Sequence, residues 1–149
     1  LRTLNPRIEE VAKDVAIRFP RECESLRSKS GKGADEALML DPYGFVNTTN
    51  SCNFFIVKNN EVWTSSGDYC MNGITRLKVI QLCHENNIPI FEKNYSLVDV
   101  YSAQEAFVTG TLGSLTQVLE IDGRSIGKVK NGWPVTEKLR SLYKNLINE

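Results

Sequence analysis

Histidine is almost absent from this sequence, and its cysteines are not spaced for metal binding. The 149 residues contain four cysteines and a single histidine, His84. A zinc ribbon needs thiolates about two to four residues apart, and one imidazole cannot build a multi-histidine metal centre. We therefore expect no metal site. His84 is expected on a helix surface, and the cysteines are expected to be reduced, small core residues.

Net charge and long apolar runs are lacking as well. Eighteen Lys and Arg residues balance 18 Asp and Glu residues, so no electrostatic field gathers nucleic acid or anionic lipid, and neither partner is expected. No apolar run approaches the roughly 18 residues that a membrane span needs, and no basic stretch leads into a hydrophobic block. The sequence therefore predicts a soluble, intracellular protein, cytoplasmic or mitochondrial, of one globular domain.

The first 32 residues differ in character from the rest. A capping asparagine, a proline at the first helical position and apolar residues at helical spacing predict an amphipathic helix over Leu4–Phe19. Residues 21–32 are polar and are interpreted as a linker or mobile loop. The remaining residues, 33–149, are predicted to form the main domain.

Short strands and helices are mixed without strict alternation after residue 33, which predicts an α+β fold. The pair Asn59–Asn60 and the pair Asp122–Gly123 are each typical of a tight hairpin turn. Helices are predicted from Gly73–Arg76 to about Asn86, from a Ser96 cap to Tyr101, and from Pro134 onward. The predicted strands are Glu36–Leu40, Phe45–Val46, Phe54–Lys58, Glu61–Thr64, Ile88–Phe91, Glu105–Val108, Gln117–Ile121 and Ser125–Ile126.

Two stretches resemble cradles for an anion. In Asn72–Thr75 a glycine precedes a helix, so that free backbone N–H groups point outward at the positive end of the helix dipole. In Thr109–Thr111 two hydroxyls flank a glycine in a predicted turn, which allows a ligand to approach the backbone. A glycine before a helix is more often only a turn, so each stretch alone is a weak signal. Arg76 either faces the anion or forms a salt bridge across the helix.

Acidic residues begin two of the predicted strands, at Asp35–Glu36 and Gln104–Glu105. Paired acids can perform general acid and base chemistry when burial separates their pKa values. Solvated strand ends are the simpler interpretation, and we expect it here. No serine lies in a recognisable nucleophile elbow, so hydrolase chemistry has no support.

Taken together and in order, the motifs resemble one family, the class IV (fold type IV) pyridoxal phosphate aminotransferases. The likeness is greatest to the branched-chain amino acid aminotransferases and their D-amino acid aminotransferase relatives. It covers the large C-terminal domain of that family, from Gly33 to about Leu146. The motifs that carry it are Gly33–Asp41, Gly44–Val46, Asn53–Lys58, Gly73–Arg76, Ala106–Thr111 and Ile121–Arg124.

The resemblance implies a cofactor, pyridoxal phosphate, and residues that hold it. Gly73, Ile74 and Thr75 correspond to the turn that binds the cofactor phosphate at a helix start, and Thr111 would add a contact through its hydroxyl and backbone N–H. Gly110 and Leu112 fall where the family contacts the substrate. The implied chemistry is amino-group transfer between an amino acid and a 2-keto acid, with the pyridinium ring as electron sink.

Two departures from the family pattern bear on activity. The family places a glutamate beneath the pyridine nitrogen, and Thr48 stands at that position here. A hydroxyl cannot hold a proton on the ring nitrogen as a carboxylate does. No stretch matches the surroundings of the family's catalytic lysine. Asp14 occupies the approximate position of that lysine, and Lys13 is its neighbour. A solvated surface lysine is the simpler interpretation of Lys13.

The family's smaller N-terminal domain, which closes one side of the site, has no counterpart in this sequence. The resemblance therefore implies a homodimer or a partner chain that supplies the missing part. Three hypotheses stay open: a shortened or completed aminotransferase, an inactive family domain serving as a structural or binding subunit, and an adaptor without a small-molecule site. For this chain as it stands, the lack of the family's glutamate and of a lysine in a matching stretch favours the second hypothesis, and the third is the least favoured.

Overall fold

The computed structural model describes residues 16–18, 36–110, 114–127 and 132–148 of the chain. Ten strands and three helices lie within these residues. The strands are β1 (Ala16–Arg18), β2 (Glu36–Leu40), β3 (Val46–Thr49), β4 (Asn53–Lys58), β5 (Glu61–Thr64), β6 (Ile90–Glu92), β7 (Glu105–Gly110), β8 (Ser114–Gln117), β9 (Glu120–Ile121) and β10 (Arg124–Ser125). The helices are α1 (Ile74–Glu85), α2 (Leu97–Tyr101) and α3 (Pro134–Ile147).

The strands form one branched sheet. Its main path runs β10-β9-β1-β2-β3-β4-β5-β6, and β7 pairs with both β4 and β8. Every described pairing is antiparallel except that of β5 with β6. A largely antiparallel sheet with separate helices confirms the predicted α+β class.

Strand β4 lies at the centre of the sheet and is buried on both faces. Phe54 and Ile56 belong to an apolar cluster on one face, whereas Phe55 and Val57 belong to a second cluster on the other. This division follows from the alternation of side chains along a strand. On the second face, Phe55 stacks on Phe107 of β7 with ring centroids 4.9 Å apart. A continuous apolar run in the sequence therefore reads as a strand covered on both sides.

Helices α1 and α3 cover the second face. They contact each other and β7, and Val79 and Cys83 of α1 are completely buried against this cluster. The predicted apolar stripe of α3 is confirmed, because Leu139 is buried and its neighbours at helical spacing pack on the same cluster. His84 is exposed on α1 as expected.

The hairpin turns follow from local chemistry. Asn59 and Asn60, between β4 and β5, have φ angles of 54° and 61°. Asp122 and Gly123, between β9 and β10, have φ angles of 51° and 75°. Asparagine, aspartate and glycine tolerate this left-handed region better than other residues, so both predicted turns are confirmed.

The prediction of a helix through Phe19 is wrong for residues 16–18, which form β1. Ile17 pairs with Glu36 of β2 and with Ile121 of β9. These tertiary pairings override the helical periodicity of the apolar residues. The rest of the predicted helix and the linker lie outside the described residues, so the division at residue 33 stays a prediction.

Other strand boundaries also differ from the sequence-based expectations. Strand β7 continues through Thr109 and Gly110, which were expected in a turn, because both residues pair with β8. Strand β3 continues to Thr49, and the strand expected over Gln117–Ile121 is split, with Val118 and Leu119 between β8 and β9.

Candidate functional site

A row of polar side chains crosses three neighbouring strands. Thr48 of β3 pairs in register with Asn53 of β4, and Asn53 pairs with Thr109 of β7. Register partners in antiparallel strands point to the same face of the sheet. All three are buried, with exposed fractions of 8%, 7% and 2% respectively. The ends of three strands therefore bring one amide and two hydroxyls into line.

The N-terminus of α1 lies against the middle of this row. The Oδ1 atom of Asn53 accepts a hydrogen bond from the Gly73 backbone N–H at 3.3 Å. A Cβ atom on Gly73 would lie only 2.7 Å from Oδ1, so the close approach requires a glycine. Gly73 and Thr109, 36 positions apart in the chain, both adjoin Asn53.

The start of α1 has the features of an anion site. Gly73 occupies the N-cap position without a side-chain cap, and the first turn holds no acidic residue. Helix geometry leaves the N–H groups of the first helical residues without intrahelical acceptors, and the helix dipole favours negative charge there. In addition, the buried Thr109 hydroxyl has no hydrogen-bond partner among the described residues. A phosphoryl group would provide acceptors for both sets of donors.

Arg76 supports the segment before α1 and does not reach toward the row. Its guanidinium donates to the Ser65 carbonyl at 2.8 Å, to Glu92 at 2.9 Å and to the Asn72 side chain at 3.0 Å. The side chain is 1% exposed. Of the two roles left open for Arg76, the structure shows a salt bridge, which runs to Glu92 of β6 and not across α1.

Gly67 makes the approach of Arg76 possible. This glycine has a φ angle of +92°, and an added Cβ would lie 2.9 Å from the Asn72 side-chain oxygen and 3.5 Å from Arg76 Nη2. A larger residue would be strained in its backbone and would press on both side chains. The segment that leads into α1 is therefore held by specific contacts on two sides.

Thr48 is tied into the tight connection between β3 and β4. Its hydroxyl donates to the Cys52 carbonyl at 2.7 Å, and the Thr49 hydroxyl donates to the same oxygen at 2.9 Å. The hydroxyl proton of Thr48 is thus used in a hydrogen bond to the backbone. The side chain can offer a lone pair to a ligand but carries no charge.

A second polar cluster lies beside this connection. The Ser51 hydroxyl donates to Glu36, whose other carboxyl oxygen is buried without a partner among the described residues. Burial raises the pKa of Glu36. Burial, and then the charge of Glu36, raise the pKa of the Cys52 thiol. Cys52 in turn lies over Gly110, where an added Cβ would come within 3.1 Å of Sγ.

Glu36 and Glu105, at the starts of two strands, are not solvated, which corrects the expectation for these two residues; Asp35 lies outside the described residues. Glu36 is 3% exposed and Glu105 is 2% exposed. The Glu105 carboxylate accepts hydrogen bonds from the backbone N–H groups of Val135 and Thr136, at 3.1 and 2.9 Å. It therefore satisfies the N-terminus of α3, where negative charge is favourable.

Five of the eight residues predicted for the site lie in the part of the chain that the structure describes, and three lie outside it. Gly73, Ile74 and Thr75 begin α1 beside Asn53, and Thr48 and Gly110 lie at the ends of the strands that form the row. Ile74 itself points outward and is 68% exposed, so its backbone N–H is the group available to an anion. Lys13, Thr111 and Leu112 lie outside the described residues, and their roles stay predictions.

Sequence reasoning missed the role of Asn53. A single amide at the start of the otherwise apolar stretch Asn53–Val57 was a usable signal, because a buried amide needs partners. The contact of the Thr75 hydroxyl with the Tyr143 hydroxyl of α3, at 3.5 Å, was not accessible from local sequence.

Residues 16–18, 36–110, 114–127 and 132–148 lack two further features. No helix in these ranges combines the length and the hydropathy needed to cross a membrane. They also contain no group of three or more His, Cys, Asp or Glu side chains arranged to hold a metal ion. Cys83 is buried, whereas Cys52 and Cys70 are partly exposed, and all three are free thiols.

The sequence matches a known family over most of its length. The family described as Amino-transferase class IV matches residues 22–121, and the chain belongs to this family. It is 46% identical over 114 residues to branched-chain-amino-acid aminotransferase-like protein 2 of Arabidopsis thaliana. It is 42% identical over 124 residues to a branched-chain-amino-acid aminotransferase of Pseudomonas aeruginosa, and 35% identical over 115 residues to a D-alanine aminotransferase of Bacillus licheniformis.

These matches cover much of this chain but a smaller part of the relatives. They include 76%, 83% and 76% of this chain, against 20%, 40% and 40% of the respective relatives. The chain thus corresponds to less than half the length of each of them.

Solved structures agree with the fold. The branched-chain aminotransferase of Thermoproteus uzoniensis with norvaline has a TM-score of 0.72 and 35% identity, over 78% of this chain and 38% of the other. A second branched-chain amino acid aminotransferase, from T.th. and solved with pyridoxamine 5'-phosphate, has a TM-score of 0.69 and 35% identity, over 74% and 37%. The fold is therefore that of the fold type IV aminotransferases, and pyridoxal phosphate is the cofactor of the family.

Proposed function

We propose that this chain binds pyridoxal phosphate through its phosphate group at the N-terminus of α1 and forms the cofactor-binding part of an aminotransferase. The observation that carries the proposal is the juxtaposition of the uncapped start of α1 with the row Thr48–Asn53–Thr109. Free backbone N–H groups adjoin the same amide side chain as the buried Thr109 hydroxyl, which has no partner among the residues that the structure describes. This donor set suits a dianionic phosphoryl group.

When bound, the cofactor supplies an electron sink for amino-group transfer between an amino acid and a 2-keto acid. The chain's own residues would bind and orient it. The backbone N–H groups of Ile74 and Thr75 and the Thr109 hydroxyl would donate to the phosphate, and we expect Thr111 to add a further contact. Gly110 and Leu112 would adjoin the substrate. The substrate class is that of the relatives, branched-chain or D-amino acids.

Catalytic competence depends on groups that this chain does not supply in the family's form. At the position where the family carries a carboxylate, Thr48 offers only an uncharged oxygen whose proton is directed to Cys52. Such a group gives little support to a protonated ring nitrogen. This observation favours the second candidate function, an inactive binding or structural subunit, for the chain by itself. We propose that a second copy or a partner chain contributes further groups to the active site.

Titration of the purified chain tests the proposal. Pyridoxal phosphate, pyridoxal and inorganic phosphate are titrated separately, and inorganic phosphate is then added as a competitor. We expect pyridoxal phosphate to bind at least about tenfold more tightly than pyridoxal, because charge-assisted hydrogen bonds to the phosphate carry the affinity. Phosphate should displace it. Equal affinity for pyridoxal, or no binding at all, would overturn the proposal.

The same sample decides between the two candidate functions. Borohydride reduction followed by peptide mapping reports any lysine linked to the cofactor, and incubation with L-leucine or D-alanine plus a 2-keto acid reports turnover. For the isolated chain we expect neither a pyridoxyl group on Lys13 nor keto acid formation. A pyridoxyl group on Lys13 would count against the inactive subunit, and keto acid formation would establish the transferase.

A further inference from the structure

Asn53 belongs to the polar row of the sheet and also contacts the segment that begins α1. Its Nδ2 atom donates to the Met71 carbonyl at 2.8 Å, and its Oδ1 atom accepts from the Gly73 N–H at 3.3 Å. The Met71 carbonyl also accepts from the Gly73 N–H at 3.0 Å. One side-chain amide therefore pairs with a carbonyl and an N–H only two residues apart.

We propose that Asn53 is a positioning residue, which fixes the segment 71–73 on the end of β4 and thereby holds the N–H groups of the first turn of α1 beside the Thr109 hydroxyl, so that both can donate to the same anion. The identity of the anion in this proposal rests on the proposed function. The contacts of Asn53 with segment 71–73 do not depend on it. Asn53 itself need not touch the ligand, because both of its polar atoms are already paired with backbone.

Burial and the absence of a cap strengthen the case. Asn53 is 7% exposed, so its amide loses water and must find partners within the protein. Gly73 has no side-chain cap from its own segment. The contact from Asn53 thus takes the place of a local cap, and it ties the helix start to the sheet instead of to the preceding loop.

The structure provides a matched control in Asn47. This residue is also a buried asparagine, 3% exposed, and its Nδ2 atom donates to the Tyr69 carbonyl in the same loop at 2.8 Å. No hydrogen bond joins Asn47 to the start of α1 among the described residues. A purely structural role for these asparagines predicts similar effects at both positions, whereas a positioning role predicts an effect at Asn53 alone.

The test compares Asn53→Ala with Asn47→Ala in the full chain. Hydrogen exchange in the ligand-free protein is read at the amides of Gly73 and Leu77, which bound the first turn and are both hydrogen-bonded. Inorganic phosphate affinity is measured in parallel. We expect Asn53→Ala to raise exchange at both amides and to weaken phosphate binding, each by about tenfold, whereas Asn47→Ala changes neither by more than about threefold.

Equal effects of the two substitutions, or unchanged exchange in Asn53→Ala, would overturn the positioning role. If Asn53→Ala does not fold, Asn53→Ser retains a polar group but cannot span both partners, and the same increase in exchange is expected. A wild-type chain that binds neither phosphate nor pyridoxal phosphate refutes the proposed function and the aiming of the N–H groups at an anion. The exchange comparison then still decides whether Asn53 fixes the start of α1.

Discussion

Substitution of Gly73 by alanine probes the contact between α1 and the sheet directly. The φ angle of Gly73 is −62°, so an alanine is not strained in its backbone. The added Cβ would, however, lie 2.7 Å from Asn53 Oδ1, closer than non-bonded atoms pack. Asn53 must move and lose its hydrogen bond to Gly73, or the helix start must shift.

The expected cost follows from these two consequences. Displacing a packed side chain costs about 1–3 kcal/mol, and losing one buried hydrogen bond costs about 0.5–1.5 kcal/mol. We therefore expect Gly73→Ala to lower the free energy of unfolding by about 2 kcal/mol. In the Asn53→Ala background the obstructing atom is absent, and the same substitution should cost no more than about 1 kcal/mol, the usual penalty for alanine at an N-cap.

Urea unfolding of the wild type, the two single variants and the double variant measures this difference. If Gly73 and Asn53 contact each other as described, the double-mutant cycle gives a coupling energy of about 1–2 kcal/mol between them. Substitution effects that add to within about 0.5 kcal/mol would show that the two residues do not meet, and would refute the reasoning.

Two other predictions concern groups whose pKa values are raised. Glu36 has a pKa above its usual 4.5. Its contribution to wild-type stability should therefore be fully present below about pH 4.5 and be lost as the pH rises toward the folded pKa, by about 1.4 kcal/mol for each pH unit between the unfolded and the folded pKa. Glu36→Gln should remove this loss, so the difference in urea midpoint between wild type and variant should change with pH, and a pH-independent difference would contradict the prediction. Burial raises the pKa of Cys83 to about 12 and also raises that of Cys52. Iodoacetamide at about pH 8 should therefore modify both thiols slowly in the native chain and rapidly in denaturant, whereas native Cys83 that reacts at the denatured rate would refute the burial argument.

Much of the architecture could be predicted from local sequence. Interactions between residues close in sequence determine several features: the apolar stretch of β4, the left-handed asparagines at its turn and the apolar stripe of α3. The glycine at the start of α1 belongs to the same class of signal. The ordered motifs then identified the family, and the fold agrees with it.

The errors came from contacts between distant residues. Residues 16–18 carry a helical pattern, but pairing with β2 and β9 makes them a strand. Glu105 looked like a solvated strand end, yet it satisfies the start of α3 from 30 positions away. The hydrogen bonds between Asn53 and Gly73 and between Arg76 and Glu92 also join residues far apart in the chain. No local spacing pattern predicts them.

The central claim is that the start of α1 and the end of β7 hold one phosphoryl group. Backbone amide chemical shifts recorded during titration with pyridoxal phosphate test it most directly. The account predicts large, saturating shifts at Ile74, Thr75 and Thr109 with one common affinity, reproduced by inorganic phosphate and absent with pyridoxal. Shifts confined to a different surface, or different affinities at α1 and β7, would contradict it.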